Sequence, residues 1–212
     1  MWFIRFINSS IGKKLVMAST GCCLILFLCS HAAGNATLFS SIQLFQAYAD
    51  QLHSHPLIVS FFSKSLLLIF LLHAVTGVIL FLQNSMARTQ RYRVQTRAIK
   101  NAQASSTMLY SGLFILLFIL IHTAVVSFGD HATIGNTIAD LFRSFPVSLF
   151  YIIAFIILAI HLSHGFWSML QTFGLSHPRY TIAINRLTYA LPIFFLLIFG
   201  AIPLLFLFGT GK

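Results

Sequence analysis

Residues 107–128 read TMLYSGLFILLFILIHTAVVSF, a run without one charged side chain, broken late by His122. A helix needs about 20 mostly apolar residues to cross hydrocarbon, so this stretch predicts a membrane span. Four further segments are similarly apolar, with Lys64 their one charged residue: 15–36 and 60–84 before it, 146–171 and 187–209 after it. The expected fold is an all-α membrane protein of five transmembrane helices, forming a single membrane domain over 1–212. Composition agrees. The chain is 58% hydrophobic and 8% charged, with a mean hydropathy of +0.90, and so has too little polar material to cover a water-facing surface. Its 23 Phe and 15% aromatic content suit a lipid-facing surface with interfacial belts. No room is left for a separate soluble catalytic domain. Cys22, Cys23 and Cys29 all fall in the first span without a Cys-x-x-Cys spacing, which points to packing rather than to a zinc or iron–sulfur site.

Charge gives the expected topology. Arg5, Lys13 and Lys14 precede the first span. Arg88, Arg91, Arg93, Arg97 and Lys100 lie in the second loop, and Arg179 and Arg186 in the fourth. Ten of the 13 basic residues thus share one side, while Lys64, Arg143 and Lys212 lie on the other with Asp50, Asp130 and Asp140. The positive-inside rule then places the N-terminus in the cytoplasm and the C-terminus outside. The basic start and the AAGNA at 32–36 imitate a signal peptide. The apolar run is too long for one, however, and cleavage there would discard a histidine whose partner lies elsewhere. Trp2, Phe3, Ile4 and Phe6 form a short interfacial anchor. The net charge of +10 reads as topology, anionic lipid and an acidic cytoplasmic partner. It does not read as nucleic-acid binding, because the charges share no folded soluble face.

Each of the first four spans carries an isolated histidine in its middle or second half: His31, His73, His122 and His161. An ionisable side chain in hydrocarbon is costly and marks function. One alone is most simply a hydrogen-bonded packing residue or part of a proton path. Four in consecutive spans suggest two pairs, and two bis-histidine haems are the simplest object that uses two pairs. At about 1.5 Å of rise per residue, His31 and His122 fall in the outer half of the membrane, and His73 and His161 on the cytoplasmic side of centre. The pairs by depth are therefore His31/His122 and His73/His161, separated by roughly two helical turns. Gly77 and Gly165 each follow a histidine by four residues and so share its face. Gly34 follows His31 by three. Such glycines serve ordinary helix packing; at a repeated offset from histidine they also suit clearance for a flat porphyrin. His53, His55, His131 and His177 fall in loops. His164 lies one turn from His161 and competes with it as a ligand, or else contacts a haem propionate or a quinone.

Three strings carry a resemblance: SSIGKKLVMASTG at 9–21, HAVTGVILFLQN at 73–84 and HLSHGFWSMLQTFG at 161–174. The chain resembles, over nearly its whole length, the b558-type, di-haem cytochrome b membrane-anchor subunit of succinate dehydrogenase and fumarate reductase (succinate:quinone oxidoreductase). The most specific string is His-x-x-x-Gly-x-Trp-Ser from His161. The resemblance implies a four-helix haem bundle with His31, His73, His122 and His161 as axial ligands to two haem b irons, paired first with third and second with fourth. In the fourth motif it makes His161, not His164, the ligand. It implies a multi-pass protein of the bacterial cytoplasmic membrane. A flavoprotein subunit carrying FAD would dock on the cytoplasmic face through an iron–sulfur subunit that carries the clusters. The dicarboxylate site would lie on the flavoprotein, and electrons would pass between the clusters and a membrane quinone, commonly menaquinone in di-haem members.

One departure is plain. The chain contains no Glu, and no Asp falls inside a span, so no span carboxylate can carry protons at a quinone. His53 or His55 is the expected proton group if the quinone binds near the outer haem. Two other classes compete. A cytochrome b of a hydrogenase or formate dehydrogenase also pairs histidines in a membrane bundle, but its span order and fourth motif differ. A histidine-relay transporter predicts broken helices and inverted repeats, against which stand five spans with no evident repeat.

Overall fold

The computed structural model describes residues 2–86, 107–128, 131–175 and 177–209. Arg88, Arg91, Arg93, Arg97, Lys100, Asp130 and Lys212 lie outside the described residues, as does the side chain of His131. The fold is all-helical, with no strand among the described residues. In chain order the helices are α1 (Trp2–Asn8), α2 (Ser10–Ala36), α3 (Ile42–His53), α4 (Pro56–Met86), α5 (Met108–Phe128), α6 (Ile134–Arg143), α7 (Phe145–Thr172) and α8 (Thr181–Phe208). Helices α2, α4, α5, α7 and α8 are long and apolar enough to cross a membrane.

The ends of these helices follow local chemistry. Ser9 caps α2 by accepting from the Gly12 amide at 3.0 Å. A side chain on Gly12 would strike the Phe6 carbonyl at 2.0 Å, so the sharp α1–α2 corner requires glycine there. Ser41 caps α3 through the Leu44 amide. Ser148 is fully buried and donates to the Phe142 carbonyl at 2.6 Å, fixing the α6–α7 corner. Helix α7 stops at Gly174 with φ 72°. The Gly174 amide donates to the Gln171 carbonyl and the Leu175 amide to the Leu170 carbonyl, the paired bonds of a Schellman stop.

Four long helices form a ring. Helix α2 packs on α4 and α7, and α5 packs on α4 and α7, while the diagonals α2/α5 and α4/α7 are not among the packed pairs. The Lys13 ammonium donates to Gln83 at 3.0 Å, tying the start of α2 to the end of α4. Helix α4 has no fully buried residue: part of it faces the interior of the ring, while Leu57, Phe61, Phe62 and Leu68 face outward.

Residues 37–59 and 129–145 are expected to be loops. They hold α3 and α6, two short amphipathic helices that pack on each other across one end of the ring. The Gln46 side chain bridges them, its carbonyl accepting from the Gly135 amide at 3.1 Å and its amide donating to Asp50 at 2.8 Å. Phe45, Ala49, Ile134, Ala139 and Phe142 face inward and join Phe118, Tyr151 and Ile202 in one core cluster. Asp50, Asp140 and Arg143 lie in these capping helices. Arg5, Lys13, Lys14, Arg179 and Arg186 lie at the opposite end.

Helix α8 carries no histidine. It packs along α7 and also reaches α2, and its Phe199 approaches His31 at 5.7 Å between ring centroids. Pro192 and Pro203 lie inside α8 and are buried, so neither ends the helix.

Candidate functional site: two histidine pairs across one cavity

The unpacked diagonals enclose a cavity of about 1990 Å³, lined among others by His31, His73, His122 and His161. Sites for a single small ligand run to about 300–1,000 Å³, so this space is large enough for two bulky groups. All four histidines are half-buried because they face this space.

The histidines meet across the diagonals. His31 on α2 and His122 on α5 have ring centroids 6.0 Å apart, nearly perpendicular at 89°. His73 on α4 and His161 on α7 stand 6.5 Å apart at 66°. These are the pairs expected from depth along the spans. The two levels lie further apart than expected, because Thr20, which touches His73, is eleven residues before His31 on α2, about 16 Å along a helix.

The His31/His122 level is aromatic. Phe27 stacks on His31 at 5.3 Å and Phe118 on His122 at 5.6 Å, and the Tyr151 hydroxyl lies 3.4 Å from His122 Nδ1. The His73/His161 level is polar. Thr20 Oγ1 lies 3.1 Å from His73 Nδ1, and Ser111 Oγ lies 3.1 Å from His161 Nδ1.

Gly77 and Gly165 line the cavity, but their nearest neighbours are methionine methyls. A side-chain carbon on Gly77 would meet Met17 Cε at 3.2 Å, and one on Gly165 would meet Met108 Cε at 3.5 Å. Gly34 makes room for the Tyr48 ring, which a side chain would meet at 2.6 Å. His164 is half-buried on the cavity wall. His53 also lines the cavity, and its Nδ1–H donates to the Ala49 carbonyl at 2.8 Å. His55 is exposed and does not line the cavity, and His177 is exposed with Nδ1 accepting from the Arg179 amide. Cys22, Cys23 and Cys29 are free thiols. Among the described residues no group of three or more His, Cys, Asp or Glu could hold a bare metal ion.

Thr20, Ser111, Gly21, Gly112, Phe27, Phe118 and Tyr151 are not among the residues expected at the site, although most of them carry a signal in the sequence. Residues 17–31, MASTGCCLILFLCSH, and 108–122, MLYSGLFILLFILIH, share Met-x-x-Ser/Thr-Gly-x5-Phe-x3-His, each matching position 91 residues apart. His73/Gly77 and His161/Gly165 repeat at a spacing of 88. The absence of an evident repeat is therefore corrected: α2–α4 and α5–α7 are two copies of one helical hairpin. The repeat is parallel, since α2 and α5 carry the same order of residues along the bundle. Comparison of the chain with known protein families, with curated proteins and with solved structures finds no match in any of the three.

Proposed function

We propose that this protein is a di-haem cytochrome b, the membrane-anchor subunit of a succinate:quinone oxidoreductase (succinate dehydrogenase or fumarate reductase). The observation that carries the proposal is the separation of the two histidine pairs. Metal–nitrogen bonds of about 2 Å to two facing imidazoles put ring centroids about 6–6.5 Å apart, the range in which both pairs fall. The donor set fits as well: two neutral imidazoles per site, in a cavity that the helices do not fill themselves. Haem held between two imidazoles supplies a six-coordinate, one-electron iron centre suited to electron transfer.

The residues have distinct tasks in this reading. His31 and His122 hold one iron, and His73 and His161 the other. Phe27, Phe118 and Phe199 exclude water from the first level, and α3 and α6 close that end of the cavity. Gly77 and Gly165, with the flexible methionine ends against them, leave a wall that can yield to a flat ligand. The basic end, with Arg5, Lys13, Lys14, Arg179 and Arg186, faces the bacterial cytoplasm by the positive-inside rule. There it meets an iron–sulfur subunit and, through it, a flavoprotein with FAD. The function is electron transfer between that partner and a membrane quinone, menaquinone by resemblance. His53, on the cavity wall at the α3 end, is the nearer of the two proposed proton groups, because His55 is exposed away from the cavity. His164, one turn from His161 on the cavity wall, is the residue that would contact a propionate or a quinone.

The test is made in native membranes. Succinate should reduce the b haems of the purified complex, and a flavoprotein and an iron–sulfur protein should copurify. Reduction by hydrogen or formate instead would assign the chain to another quinone-linked complex. The unbroken α2, α4, α5 and α7 give no support to a histidine-relay transporter, whose substrate sites typically sit in interrupted helices.

A further inference from the structure

The helical hairpin repeat places one hydroxyl against each histidine of a single pair. Thr20 and Ser111 are two of the few buried polar side chains among the described residues. Each hydroxyl has a single proton to donate. Thr20 lies 2.8 Å from the Val16 carbonyl and 3.1 Å from that of Met17, and Ser111 lies 3.0 Å from that of Met108. Those carbonyls can only accept; with the hydroxyl protons on the Val16 and Met108 carbonyls, the Met17 carbonyl is left as a second acceptor facing His73. Each hydroxyl oxygen is then left to accept from the histidine. This arrangement makes the Nδ1–H of His73 and of His161 the donor and leaves the lone pair on Nε2 of each ring.

The following glycines complete the seat. A side-chain carbon on Gly21 would touch His73 Cε1 at 3.4 Å, and one on Gly112 would touch His161 Cε1 at the same distance. Ser/Thr-Gly therefore supplies, on both α2 and α5, a hydroxyl acceptor and a bare stretch of backbone for the ring edge. The arrangement is not shared by the other pair. There Tyr151 meets His122, and the matching position in the first hairpin, 88 residues earlier, is Ser63.

We infer that Thr20 and Ser111 are equivalent positioning residues, which orient His73 and His161 and set their ring protons so that both Nε2 atoms face one shared iron. This inference rests on the haem reading. A ligand imidazole that donates its second N–H becomes more basic and is locked in orientation. The more basic ligand favours the ferric state, so losing the bond raises the reduction potential of that haem.

The experiment is a redox titration of the two b haems in the whole purified protein, comparing Thr20→Val, Ser111→Ala and the double variant with the unaltered chain. Each single change should shift one haem, the same one, upward by about a tenfold change in its reduction equilibrium, which is 59 mV for one electron. The double variant should shift it further, the other haem should stay in place, and Thr20→Ser and Ser111→Thr should restore the starting potential. Loss of that haem from T20V with its retention in T20S counts for the hydroxyl; its loss from both would make the position one of packing and overturn the inference. Two haems with unmoved potentials, or a shift from only one of the two hydroxyls, would overturn it while leaving the haem reading intact. An unaltered chain that holds no haem would overturn both.

Discussion

At one end of the bundle His31 and His122 stand among Phe27, Phe118, Phe199 and Tyr151, beneath two short helices that close the ring. About three helical turns away His73 and His161 rest on two hydroxyls and two glycines, with no Phe or Tyr ring contact among the described residues. The ring separations at the two levels differ by only 0.5 Å. The same geometry is thus reached by two physical routes. Aromatic packing holds a ring by shape and excludes water, but it fixes no ring proton. A buried hydroxyl fixes the proton and the rotation of the ring, yet leaves the surroundings polar. The duplicated hairpin supplies both devices twice, a phenylalanine four residues before each histidine of one pair and a hydroxyl beside each histidine of the other.

The comparison can be broken most strongly by removing a ligand. His73→Ala or His161→Ala should lower the haem count from two per chain to one and leave the aromatic level's spectrum, while His31→Ala or His122→Ala should do the converse. A quantitative haem assay with spectra reads the outcome. Next in size is the cap. Phe142 is 6% exposed within the core cluster under α6, and large-to-small changes at such sites cost about 3–5 kcal/mol. Phe142→Ala should therefore lower the unfolding temperature in detergent and open only the His31/His122 level to aqueous reductant, as measured by reduction kinetics. Tyr151→Phe is a finer probe. It removes one long hydroxyl contact and keeps the ring, so it should cost about 1 kcal/mol or less and alter only the His31/His122 level, as seen by resonance Raman or redox titration. Smallest is Arg143→Ala. The Arg143–Asp140 ion pair is largely exposed, and such pairs contribute roughly 0–1 kcal/mol, so thermal unfolding should hardly change.

Much of this architecture is legible in the residues alone. Long apolar runs give the five helices that are long and apolar enough to cross a membrane, because a helix in hydrocarbon must be mostly apolar along its length. Depth along antiparallel spans pairs the histidines, because rise per residue is fixed. The capping helices were missed because α3 and α6 are short and mix Gln, Asp and Asn with their apolar residues, so they read as loops. The 91-residue repeat was missed because its defining positions are separated by Leu, Ile and Phe that any span contains. Thr20 and Ser111 could not be assigned from one helix alone. A hydroxyl inside a span most often bonds its own backbone, as both of these do, and only the neighbouring helix shows that each also faces a histidine. Phe199 was missed for the same reason, since its helix carries no histidine of its own.

The most direct test of the central claim is a pyridine haemochrome assay on the purified full-length chain, with b haem counted per polypeptide. Two haems per chain is the predicted result, one for each diagonal pair. A chain that carries none when expressed with haem in excess would contradict the account, and the two facing pairs would then be proton-transfer or packing residues.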